Sequence, residues 1–137
     1  CPSKMIREHQ FEEITRLSKE AVKNIHDIFL LHLGINAQDE KEAEGITRAY
    51  ADLLGVPVYD GASFFAGDMV EVNKTPGKGT HGHIAFSVRN IDRAMAYFKS
   101  VGYSFDEEHM PADEKGVIAA YFEGEFGGFA IHLRRHL

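Results

Sequence analysis

Between Phe11 and Ile25 the apolar residues Phe11, Ile14, Leu17, Ala21, Val22 and Ile25 recur in steps of three and four, the period of one helical face. This predicts an amphipathic helix, with Ser3 placed to cap a short turn at Lys4-Met5-Ile6 before it. The period then changes. Phe29, Leu31, Leu33 and Ile35 alternate with Leu30, His32, Gly34 and Asn36, which is the two-residue period of a strand. From Asp39 to Leu54 the apolar positions Ala43, Ile46, Tyr50, Leu53 and Leu54 return to helical spacing, and Gly55 supplies a stop. Short strands are predicted at Pro57 to Tyr59, Ser63 to Ala66 and Asp68 to Asn73, with turns at Gly61 and Gly67.

Lys74 to Gly82 contains Pro76, Gly77, Gly79 and Gly82 and reads as a linker, after which the pattern begins again. Gly82 to Val88 alternates, Asn90 to Val101 is helical with Ile91, Ala94, Met95 and Phe98 on one face, and Gly102 ends it. Three more strands are predicted at Tyr103 to Glu107, Val117 to Glu123 and Phe129 to Arg134. The expected fold is therefore α+β: two βαβββ modules, about 28–74 and 82–135, preceded by an N-terminal helical segment over 1–26. A length of 137 residues suits a single core.

The two halves align on their polar positions. His32-Leu33-Gly34-Ile35-Asn36 corresponds to His83-Ile84-Ala85-Phe86-Ser87, and Met69-Val70-Glu71-Val72-Asn73 to Ala130-Ile131-His132-Leu133-Arg134. Strand parity sends His32, Glu71, His83 and His132 to the face opposite the bulky residues, so sheets that curve towards each other would bring the four together. Imidazole and carboxylate in that combination suit a divalent ion such as zinc, iron, manganese, nickel or cobalt. His81 precedes the strand and competes as a ligand, while His109 and His136 read as exposed. Glu107, Glu108, Glu123 and Glu125 are candidates for a general base. Tyr59, Phe64, Phe65, Tyr121, Phe122 and Phe126 read as core or cleft wall.

Composition narrows the partners. Hydrophobic residues make up 44% and charged residues 26%, and 15 Lys and Arg stand against 21 Asp and Glu, a net charge of -6 that argues against nucleic acid. No run resembles a membrane span or signal peptide, and the single cysteine, Cys1, excludes an internal disulfide, so a cytoplasmic protein is expected. A Cys at the first position, in place of Met, is what a chain cut from something longer or processed would show. Gly77-Lys78-Gly79 lacks the strand before it and the Lys-Ser/Thr after it that a phosphate loop requires.

The duplicated βαβββ order, with His opening each half and a ligand-type residue in each closing strand, resembles the vicinal oxygen chelate superfamily, which includes glyoxalase I, extradiol dioxygenases, and fosfomycin and bleomycin resistance proteins. The resemblance spans about Ile28 to Arg134 and implies metal ligands at His32, Glu71, His83 and His132. One position departs from it: glyoxalase-like enzymes commonly close the second module with Glu, where this chain has His132. A further likeness lies at Cys1-Pro2-Ser3-Lys4-Met5-Ile6 and Phe11-Glu12-Glu13-Ile14-Thr15-Arg16-Leu17, which resemble the end of the 2-dehydro-3-deoxyphosphogluconate/4-hydroxy-2-oxoglutarate aldolases. Some of those carry a C-terminal extension with strings similar to His32-Leu-Gly-Ile-Asn36, Phe65-Ala-Gly67, Gly82-His-Ile-Ala85 and Gly127-Gly-Phe-Ala-Ile-His132.

The resemblance implies a metal-binding domain that holds a small oxygen-rich ligand, a 2-oxo acid or sugar acid, at the C-terminal end of an aldolase-type lyase whose barrel lies elsewhere in the parent chain. The alternative is a metal-free accessory or oligomerisation module of that aldolase. The apolar face of the first long helix points to a homodimer as a third expectation.

Overall fold

The computed structural model describes residues 3–136, so Cys1 and Pro2 of the aldolase-like string, and Leu137, lie outside the described residues. A short helix α1 (Ser3–Arg7) precedes α2 (Phe11–His26), which ends where Asp27 adopts a left-handed conformation and donates its N–H to Lys23 O. Among the residues of α2 only His26 is buried. The helix therefore leaves most of its apolar face exposed.

β1 (Phe29–Asn36) leads into α3 (Glu40–Leu54). Asp39 caps α3 by accepting from Glu42 N–H, while Glu42 Oε2 accepts from Gln38 N–H at 2.7 Å, so two orphan amides are satisfied reciprocally. Gly55, at φ 66°, closes the helix in the conformation expected of it. Three short strands follow: β2 (Val58–Asp60), β3 (Phe64–Ala66) and β4 (Val70–Asn73). After a loop come β5 (Gly82–Val88) and α4 (Ile91–Ser100), whose cap Asn90 accepts from Arg93 N–H. The chain ends through a 3-10 turn (Glu107–His109), β6 (Ala112–Asp113), β7 (Gly116–Val117), β8 (Ala119–Tyr121) and β9 (Phe129–Arg135).

The architecture is α+β, with one mixed seven-stranded sheet in the order β2-β3-β4-β1-β5-β9-β8. β1 and β5 run antiparallel at its centre, and each has a parallel neighbour, β4 beside β1 and β9 beside β5. Helices cover one face. α3 packs Ala43 and Ala51 on Phe64, Val70 and Val72, and α4 packs Ile91, Ala94 and Met95 on Ala120, Phe122 and Leu133. The bulky set of each strand thus faces a helix, as the alternation requires.

Three expectations fail locally. Tyr103 to Glu107 is not a strand. It makes one bridge, Phe105 to Phe122, because the chain turns away at Asp106, whose carboxylate takes His109 and Lys78. The excursion that follows forms the separate hairpin β6/β7, so the strand predicted from Val117 narrows to Ala119–Tyr121. Residues 74–81 are also more than a linker. Asn36 Nδ2 donates to Gly79 O at 2.8 Å and Gly77 O at 3.2 Å, Thr80 bonds Glu125 through its N–H and hydroxyl, and Lys74 pairs with Asp60 and Glu40. Among the described residues no helix is long and apolar enough to cross a membrane.

Candidate metal centre

Four neighbouring strands, β4, β1, β5 and β9, each contribute one of the residues singled out by the alternation. Their register sets the geometry. Glu71 lies opposite Gly34, and Gly34 opposite His83; in the next row His32 lies opposite Ala85, and Ala85 opposite His132. Large polar side chains therefore alternate with the smallest residues, and the rings lean into the gaps. A Cβ at Gly34 would fall 2.0 Å from His83 Cε1, so the ring occupies space that only glycine leaves open. The β1/β5 register shifts between Leu30 and His32, so the ladder is irregular immediately before this ligand-type residue.

His32, His83 and His132 are all buried, at 6%, 4% and 3% exposure, and each offers a ring nitrogen within 4.8 Å of the other two. His32 Nε2 is 3.2 Å from His83 Nε2, and Glu71 Oε2 is 3.1 Å from the first and 3.3 Å from the second. Donor atoms about 2.0–2.1 Å from one tetrahedral ion stand roughly 3.3 Å from each other. The spacing is that of ligands around a common centre. Each imidazole can donate its own Nε2–H to Glu71 Oε2, and a cation placed among the three atoms would attract all of them.

His132 adds the strongest signal: neither Nδ1 nor Nε2 has a hydrogen-bond partner, although both are fully buried. Its ring stacks on Tyr121, directly opposite on β8, at 4.5 Å and 23°. Burial, then the neighbouring His83 and His32, push its pKa down to about 3, so at neutral pH it is an uncharged base with a free lone pair. Burial works against the charged form of Glu71, but hydrogen bonds with His32, His83 and Ser63 outweigh it and hold the carboxyl well below its usual range. Three buried imidazoles with ring nitrogens within 4.8 Å of one another, and a carboxylate against two of them, are donor types that fit a divalent transition ion.

A cleft of about 380 Å³ opens over these rings, bounded by Ser63, Asn73, Lys74, Lys78, Tyr121 and Arg134. His81 does not join the cluster. Its exposed ring lies over Gly128, where a Cβ would come within 2.4 Å, and 5.6 Å from the Phe129 ring. His109 and His136 are exposed, as their positions suggest. Glu107 pairs with Lys99 and Glu125 with Thr80, and neither they nor Glu108 and Glu123 line the cleft. Phe64 and Phe122 are core, Tyr59 and Phe126 are exposed, and Phe65 meets the edge of His32 at 6.0 Å. Sequence reasoning gave no role to Asn73 and Arg134. The same parity that selects Glu71 and His132 selects these residues, two positions further along each strand.

No family model matches the sequence, and no curated protein matches it. The fold is similar to that in the crystal structure of hypothetical protein BH1468 from Bacillus halodurans C-125, with a TM-score of 0.56 and 15% sequence identity over 80% of this chain and 95% of that one. At that identity the likeness is one of fold alone.

Proposed function

We propose that this chain is a metal-binding domain of the vicinal oxygen chelate type, its two halves related about the β1/β5 pair, in which His32, Glu71, His83 and His132 hold one divalent ion at the floor of a cleft for a small oxygen-rich acid. The observation that carries the reading is His132, a buried imidazole with both nitrogens unpartnered beside two further imidazoles and a carboxylate. The strand order supports the same reading, because the donors sit on the first and last strands of each half around the β1/β5 pair. When bound, such an ion supplies Lewis acidity towards adjacent oxygens of a ligand. This chain's residues do the rest: Glu71 contributes negative charge, Tyr121 fixes the His132 ring, and Gly34 and Ala85 leave room for the donors. Attachment to a lyase barrel belongs to the same proposal, supported by the exposed apolar residues Phe11, Leu17 and Ile25 of α2.

The test is elemental analysis of protein expressed with metals present and dialysed against zinc. One ion per chain is expected, falling to background in a His32→Ala/His83→Ala double variant. Wild-type protein that takes up no metal, or a double variant that keeps its full complement, sinks the assignment. A second reading, a metal-free accessory module, draws on the contacts of Glu71 with His32 and His83, which close a polar cluster without an ion. It leaves His132 unexplained.

A further inference from the structure

Arg134 follows His132 by two residues on β9, so both side chains leave the same face of the strand, with Cα atoms about 6.6 Å apart along it. It is half-buried in the wall of the cleft and, among the described residues, it has neither a hydrogen bond nor a carboxylate partner. The other cations of the cleft are engaged. Lys74 is held by Asp60 at 2.7 Å and Glu40 at 2.9 Å, and Lys78 by Asp106 while lying over the Tyr121 ring. The neighbouring Arg135 points to the opposite face and is paired with Asp113 at 2.6 Å. Among the described residues that line the cleft, Arg134 is thus the one guanidinium and it is free to meet a ligand, while Glu71, the single acid among them, is turned to the imidazoles.

A guanidinium stays charged at every physiological pH and offers a fork of donors that matches a carboxylate in two hydrogen bonds. The corresponding position of the other half, Asn73, is already used: its Nδ2 donates to Asn36 Oδ1 at 2.9 Å and its Oδ1 accepts from Ser63. The cleft is therefore electrostatically one-sided, positive at Arg134, in a chain whose net charge is -6. We infer that Arg134 is a ligand-reading residue, and that the cleft selects a small dicarboxylic acid whose chelating pair of oxygens faces the metal centre while its second carboxylate pairs with Arg134. The inference rests on the metal-centre reading, since the chelating end of the ligand needs the ion.

Calorimetric titration of the zinc-loaded protein with malate and with 2-hydroxybutyrate tests it, because the two acids chelate alike and differ in carboxylate against methyl at the far end. Malate is expected to bind about tenfold or more tightly, the range of a charge-assisted bidentate pair. Arg134→Gln should erase that preference while zinc content and 2-hydroxybutyrate affinity stay unchanged, and Arg134→Lys should retain part of it. Zinc-loaded protein that shows no preference for malate, or that binds neither acid, overturns the inference, as does a preference that survives in Arg134→Gln. Failure of the wild type to take up zinc is a different result, and it removes the metal centre together with the chelating end of this ligand.

Discussion

His132 is the residue whose surroundings suit it least. A neutral imidazole needs one acceptor and one donor, and both of its nitrogens lie buried without either. Leaving a buried polar group unsatisfied costs about 1–3 kcal/mol, more than the ring's stacking on Tyr121 returns. His132→Leu should therefore stabilise the metal-free protein by about 1 kcal/mol in urea unfolding while abolishing the zinc-dependent rise in melting temperature; a loss of metal-free stability would contradict this account. Acid should act in the opposite direction. In the unfolded chain this histidine takes a proton near its ordinary 6.5, but in the fold only at about 3, so its contribution is complete above about 6.5 and fades as pH falls towards 3. Glu71, also held below its usual range, loses its contribution in the same direction at lower pH. Metal-free protein should thus weaken between pH 7 and pH 5 by up to about 1.4 kcal/mol per pH unit. Flat denaturation midpoints over that window would show that His132 is not shielded as described.

Among the elements, the loop over residues 74–81 depends on one side chain more than on its own sequence. Asn36, at the end of β1, donates to two of its carbonyls and accepts from Gly77 N–H at 3.0 Å. Asn36→Ala removes these bonds together with the one accepted from Asn73 Nδ2, and amide exchange over residues 76–80 should speed up by about tenfold or more, with zinc content unchanged. Unaltered exchange would mean that Lys74 and Thr80 hold the loop alone. This dependence explains what the sequence hid. The three- and four-residue spacing of Ala43, Ile46 and Tyr50, or of Ile91, Ala94 and Met95, is local and marks its helix to within a residue or two of the observed ends. The alternation around His32, His83 and His132 is equally local, and it chose the inward face. The Gly34 and Ala85 spacers acquire meaning only through cross-strand register, which brings together positions about fifty residues apart. Tyr103 to Glu107 misled because its alternation is real, but Asp106 finds partners in His109 and Lys78 that draw the chain off the sheet.

In the whole molecule, α1 and α2 stand apart from the packing of sheet and helices. Phe11 and Ile25 are more than half exposed, and the ties near the junction include His26 O, which accepts from Arg89 N–H at 2.9 Å, the Arg89 guanidinium on Asp27 at 3.3 Å, and the His26 ring against Tyr97. Removing residues 1–24 should leave the melting temperature within a few degrees and the zinc stoichiometry unchanged. A collapse of the fold would show that α2 belongs to the core. The sheet itself carries a different consequence. Its middle is a seam between β1 and β5, with Glu71 and His32 supplied from one side and His83 and His132 from the other. An ion gripped there would rivet the two flanks of the sheet, so that neither could peel away without surrendering half of the grip, and a chelator would restore to each flank the freedom to come apart by itself.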